Sequence, residues 1–152
     1  MKRQSLTPRD IEILMIEDNP GDVMLTREAF LEGKLSNNLY WAKDGVEAIA
    51  FLTKKAPYQD AQKPDIILLD LNLPRKSGHE VLSFIKATDH LKRIPVIILT
   101  SSKAEEDILL SYDLHANCYI TKPVDLEKFL AIVQTIEYFW LKIVTLANPD
   151  EE

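Results

Sequence analysis

The chain has a single cysteine, Cys118, in 152 residues, and a lone thiol excludes an intramolecular disulfide. Its place in an apolar stretch marks it as a small core hydrophobe, and the lack of a disulfide framework fits a reducing compartment. No apolar run approaches the ~20 residues that a membrane helix requires. No charged-then-apolar leader precedes Ile11, so a soluble, cytoplasmic protein is expected. Positive charge is also scarce: Lys+Arg 18 against Asp+Glu 24 gives a formal net charge of -6, which argues against the phosphate-backbone footprint of a DNA-binding domain. Nor does a Gly- or Ser/Thr-rich phosphate loop follow the first apolar run. Asp18-Asn19-Pro20-Gly21-Asp22 stands there instead, and it would repel a phosphate in the absence of metal, which disfavours a flavin-binding module. Internal repeats and low-complexity segments are absent.

What is present is enough for one domain, able to bury close to ~70% of its unfolded surface. Five short apolar runs carry it: Ile11 to Ile16, Leu39 to Ala42, Ile66 to Leu69, Ile94 to Leu99 and Cys118 to Thr121. Runs this short, rich in Ile and bounded by turn residues, read as buried strands. Between and after them lie amphipathic segments with start signals: Asn19 before Pro20, Asp44 with Glu47, Ser77 with Glu80, Ser102 with Glu105, and Asp125 before Leu126. Each offers an N-cap oxygen, three have capping-box spacing, and Pro20 stands where a first helical residue tolerates it. The order βαβαβαβαβα predicts a parallel sheet with helices on both faces and right-handed crossovers. The stretch from Lys54 to Pro64, with two prolines, is expected to be the least regular interior segment.

Chemistry gathers at the strand ends. Glu17 and Asp18 close the first run and Asp70 closes the third. In an open parallel sheet, ligands bind outside the carboxyl ends of strands, where strand order reverses. Three carboxylates there repel one another unless a hard cation sits among them, and an oxygen-rich site with few protein ligands suits Mg2+. The fourth run delivers Thr100, and the fifth delivers Lys122 followed by Pro123. A hydrogen-bond donor and a compact positive charge are what the oxygens of a phosphoryl group need.

In that order and spacing, Glu17-Asp18, Asp70, Thr100 and Lys122-Pro123 resemble the response regulator receiver domain of two-component signalling, over the stretch from Asp10 to Leu146. Asp18-Asn19-Pro20-Gly21-Asp22, Leu69-Asp70-Leu71-Asn72-Leu73-Pro74-Arg75, the segment from Ala116 to Leu126, and Phe139-Trp140-Leu141 resemble a narrower group, the response regulators of cyanobacterial phytochromes. The resemblance implies one receiver domain over 1–152, with its core at 10–146 and no output domain. It implies a flavodoxin-like (βα)5 α/β fold, a doubly wound five-stranded parallel sheet in the order 2-1-3-4-5 with an extended C-terminal helix. Asp70 is then the nucleophile, attacking the phosphorus of a phosphohistidine on a sensor histidine kinase of phytochrome type to form an aspartyl phosphate. The protein is thereby a signalling phosphoacceptor that promotes its own phosphoryl transfer and dephosphorylation, not an enzyme.

The same resemblance assigns the rest of the site. Asp18 binds Mg2+ directly, with Mn2+ as a substitute, and Glu17 binds directly or through water; Asp70 and the main-chain carbonyl of Asn72 complete the set. Thr100 hydrogen-bonds one phosphoryl oxygen, Ser101 leaves room beside it, Lys122 pairs with another, and the Lys122-Pro123 peptide is expected to be cis. Tyr119 matches the aromatic switch coupled to Thr100. His79, His90 and His115 form no ligand cluster and receive no role.

Along the last helix, Phe129, Val133, Ile136 and Trp140 form one stripe at 3.6 residues per turn, while Glu127, Gln134, Tyr138, Lys142 and Thr145 face away. Ile132 and Phe139 on one flank, with Leu130 and Leu141 on the other, widen the apolar arc beyond the ~100° that one core contact needs. A symmetric homodimer through Leu130, Ile132, Phe139 and Leu141 is expected. The alternative function is a phosphorylation-independent pseudo-receiver that acts as an interaction module. Such a protein would normally lack one or more of Asp18, Asp70, Thr100 and Lys122. A haloacid-type phosphotransferase would want a second acid two residues after Asp70, where Asn72 stands.

Overall fold

Helix starts in the computed structural model, which describes residues 10–33, 36–100, 118–122 and 125–147, fall where a side-chain oxygen takes up the orphan amides. Asn19 accepts from the N–H groups of Gly21 and Asp22 and opens α1 (Pro20–Leu31). Asp44 accepts from Glu47 N–H and opens α2 (Gly45–Leu52). Ser77 and Glu80 form a complete capping box at the start of α3 (Gly78–Ala87). Asp125 accepts from Lys128 N–H at 2.9 Å at the head of α4 (Leu126–Ala147). The Asp44 cap departs from the expected box, because the Glu47 carboxylate accepts from Lys43 N–H at 2.8 Å, one residue before the cap. The helix expected at Ser102 lies outside the described residues.

Five parallel strands, β1 (Ile11–Ile16), β2 (Asn37–Ala42), β3 (Ile66–Asp70), β4 (Val96–Thr100) and β5 (Cys118–Thr121), form one sheet in the order β2-β1-β3-β4-β5. The fold is therefore the flavodoxin-like receiver arrangement that the pattern implies. Three boundaries differ from the sequence expectation. β2 begins at Asn37, earlier than Leu39, and β3 runs through Asp70. β4 begins at Val96, because Ile94 N–H closes a turn on Leu91 O at 3.0 Å and Pro95 has no N–H to give to the ladder.

Alternation along the strands divides the core into two layers. Leu14, Ile16, Ile67, Leu69, Val96 and Ile98 face α2 and α3, where Phe51, Leu52, Val81, Leu82 and Ile85 cover them. Ile11, Ile13, Met15, Ile66, Leu68, Ile97 and Leu99 face α1 and α4, where Val23, Phe30, Phe129, Val133, Ile136 and Trp140 close the other side. A sheet buried on both faces explains why the strands read as continuous apolar runs instead of alternating ones. Between Lys54 and Pro64 the chain makes turns and no regular element, with Tyr58 packed on Phe51 at a ring separation of 5.4 Å. No helix among the described residues is long and apolar enough to cross a membrane.

Leu82 is fully buried between α3 and the sheet. Leu82→Ala is expected to destabilise the protein by about 2–5 kcal/mol through lost burial and the cavity left behind, read from denaturant unfolding. A cost under about 1 kcal/mol would mean that this layer collapses around the gap.

Candidate functional site

From β1 the chain passes through α1 to β2 on one side, and then through α2 to β3 on the other. The carboxyl ends of β1 and β3 therefore flank the switch point where ligands bind in this architecture. Ile16 stands opposite Leu69 in register, so the residues that follow each of them, Glu17 and Asp70, are brought side by side. Carboxylate oxygens of Glu17, Asp18 and Asp70 all lie within 4.8 Å of one another. Glu17 and Asp70 are buried, whereas Asp18 faces solvent.

Lys122, just past β5, reaches into this cluster. Its Nζ donates to both oxygens of Glu17 at 3.2 Å and to Asp70 Oδ2 at 3.0 Å, and it pairs with Asp22 Oδ2 at 3.0 Å. Asp70 Oδ1 accepts from Asn72 N–H at 3.0 Å, so both of its oxygens are held. Glu17 Oε2 also accepts from Asn19 N–H at 3.2 Å.

Burial raises the Glu17 pKa from 4.5 to about 8, and the hydrogen bond and negative charge of Asp70 add to the rise against the pull of Lys122. Burial disfavours the Lys122 ammonium, but hydrogen bonds to Asp22 and Asp70 and the charges of Asp70 and Glu17 outweigh it and hold its pKa above the ordinary lysine value. One ammonium thus does not neutralise the acids completely, and a proton on Glu17 makes up part of the deficit. An all-oxygen donor set, excess negative charge and one solvent-facing carboxylate fit a hard divalent cation.

The structure thus brings together Glu17, Asp18, Asp70 and Lys122, with Asn72 main chain tied to Asp70. Thr100 ends β4 opposite Thr121, and Tyr119 stands opposite Ile98; Tyr119 is partly buried against the α2/α3 layer. The side chain of Thr100, and Ser101, Pro123, Phe139 and Leu141 as side chains, lie outside the described residues. Leu130 and Ile132 are partly buried against the α1/α4 layer. His79 is half-buried at the head of α3, His90 is exposed, and His115 lies outside the described residues.

Three contributors were not anticipated from sequence. Asp22 shares the lysine, and its only signal was its place in the first turn of α1, within reach of whatever sits past β1. Gly78 and Gly45 wall the loop that follows Asp70. A Cβ on Gly78 would stand 2.5 Å from Leu71 Cα and 2.7 Å from Asp70 O, and one on Gly45 would meet Lys76 O.

A parallel 2-1-3-4-5 sheet with three acids and a lysine at its carboxyl edge defines the class, a receiver-type α/β domain. The chain belongs to the response regulator receiver domain family, whose model matches residues 13–134. Response regulator Rcp1 of Synechocystis sp. is 46% identical over 134 residues, covering 88% of this chain and 91% of its own length. The phosphorylated cyanobacterial phytochrome response regulator RcpA is similar with a TM-score of 0.78 at 47% identity, over 89% of this chain and 96% of that one. The Mn2+-bound form of Rcp1 gives 0.75 at 45% identity, over 87% and 95%. The chain is a receiver domain related to phytochrome response regulators.

The raised Glu17 pKa fixes the sign of a pH effect. A carboxyl whose folded pKa lies above its unfolded value binds its proton more tightly when folded, so its contribution to metal-free stability falls as pH rises from about 4.5 towards about 8. Glu17→Gln removes that loss, and its stability advantage over wild type should grow across this window. Denaturation midpoints of both proteins in chelator at several pH values check this; a pH-independent difference would contradict it.

Proposed function

We propose that this chain accepts a phosphoryl group on Asp70 from a phosphohistidine of a phytochrome-type sensor kinase. The carrying observation is the Lys122 ammonium, 3.0 Å from Asp70 Oδ2 and 3.2 Å from Glu17, in a carboxylate cluster at the switch point. Glu17, Asp18, Asp70 and the main-chain carbonyl of Asn72 would hold the divalent cation, Mg2+ with Mn2+ as a substitute. When bound, it offsets the charge of the acids and the phosphoryl group and favours in-line attack. Similarity to a Mn2+-bound regulator and to a phosphorylated one supports both halves of this reading.

The chain's own residues do the rest. Asn72 N–H and Lys122 fix the plane of the Asp70 carboxylate before the donor arrives. An Asp70 oxygen forms the O–P bond as the P–N bond breaks, and the electron pair leaves with the donor imidazole, which takes up a proton from water. Lys122 then exchanges Asp70 Oδ2 for a phosphoryl oxygen, and the Thr100 hydroxyl donates to another. Intact-mass measurement after incubation with acetyl phosphate tests the reading. A phosphoryl adduct is expected in wild type with Mg2+, and none with chelator or in Asp70→Asn. An adduct that persists in Asp70→Asn, or no adduct under any condition, would overturn it.

The output follows from packing. Tyr119 and Thr100 stand two register steps apart on adjacent strands, so a Thr100 drawn towards the phosphoryl group opens space for the Tyr119 ring, a bistable element. The signal leaves through a symmetric dimer on the flanks of α4, at Leu130, Ile132, Phe139 and Leu141, within a single receiver unit spanning 1–152. Sedimentation should show a dimer in phosphorylated wild type and a weaker one in phosphorylated Tyr119→Ala. A monomer at high micromolar concentration in every state would rule the interface out.

A further inference from the structure

Trp41 lies in β2 opposite Met15 and is 39% exposed, outside the acid cluster and outside the core. Its indole Nε1–H donates to the main-chain carbonyl of Glu17 at 2.6 Å. The β1–β2 register ends at Ile16 opposite Ala42, and Glu17 N–H makes its last main-chain bond, to Ala42 O at 3.0 Å. Past Ala42 the chain turns through Lys43 into the Asp44 cap of α2. The indole thus stands where the next rung of a parallel ladder would supply a donor.

That carbonyl belongs to the peptide joining Glu17 to Asp18. Because the peptide is planar, holding it restricts ψ of Glu17 and φ of Asp18, the torsions that set where the Asp18 carboxylate stands. Glu17's side chain is anchored separately, by Asn19 N–H and Lys122. The exposed Asp18 carboxylate has no hydrogen bond among the described residues, and the course of its main chain brings it within 4.8 Å of the carboxylate oxygens of the other two acids.

We infer that Trp41 is a positioning residue for the metal site, its indole N–H holding the Glu17–Asp18 peptide so that the Asp18 carboxylate is presented to the cation. The inference rests on the metal site proposed above. It also makes the indole a reporter, since a charge bound at Asp18 polarises the carbonyl to which the N–H is bonded.

The test is a Mg2+ titration of the full chain as wild type, Trp41→Phe and Asp18→Asn, combined with nitrogen-edited spectra of the indole N–H groups. Trp41→Phe keeps an aromatic ring, smaller than the indole, and deletes the donor, and its missing resonance separates Trp41 from Trp140. Loss of one hydrogen bond should weaken Mg2+ binding roughly three- to ten-fold. The Trp41 resonance should move on Mg2+ addition in wild type and stay still in Asp18→Asn. An affinity for Mg2+ unchanged in Trp41→Phe, or an indole resonance that does not move while Mg2+ saturates the wild type, would overturn the role of Trp41 and leave the metal site standing. A wild type that binds no Mg2+ would overturn the site, and the inference with it.

Discussion

The Lys122 ammonium among buried carboxylates is the interaction on which the site depends. Glu17 and Asp70 lie adjacent and out of water at the ends of β1 and β3, and two like charges there cost several kcal/mol unless paired. Lys122 joins them at 3.0 to 3.2 Å, and Asp22 shares it. The arrangement couples four elements through a single cation: β1, β3, α1 and the end of β5. One ammonium does not balance Glu17, Asp18, Asp22 and Asp70, and that excess negative charge favours a divalent ion and a proton on Glu17.

The same topology that gathers the acids also shields them. Two core layers cover the sheet on both faces, so among the described residues Asp70 is approached from the carboxyl edge, past exposed Asp18. A cation and a phosphoryl donor, as proposed for this site, would share that opening.

Much of this was legible in the sequence because burial and capping leave local marks. Ile-rich runs ending in Asp, Glu or Lys located the strand ends, and Asn19, Asp44, Ser77 and Asp125 located the helix starts. The stripe Phe129, Val133, Ile136 and Trp140 is buried as the helical period predicts. The departures arise where tertiary contacts override local pattern. Pro95 truncates β4 although its neighbours are apolar, and Glu47 reaches Lys43 N–H instead of Asp44. The Asp22–Lys122 pair and the indole bond of Trp41 join residues far apart in the chain, and a sequence carries no register for such pairs. Buried Glu137 in α4 belongs here as well; its carboxylate lies where a side chain on Gly33 would be.

The loop after β3 is confined by what its neighbours lack. Gly78 and Gly45 press their bare main chains against Asp70, Leu71 and Lys76, so the course of the loop is dictated by missing atoms on either side. The side chains of Asn72, Pro74 and Arg75 are exposed, and Arg75 pairs with the Asp44 carboxylate at 3.5 Å. The molecule thereby separates a fixed track, which seats Asp70, from the exposed side chains carried on it.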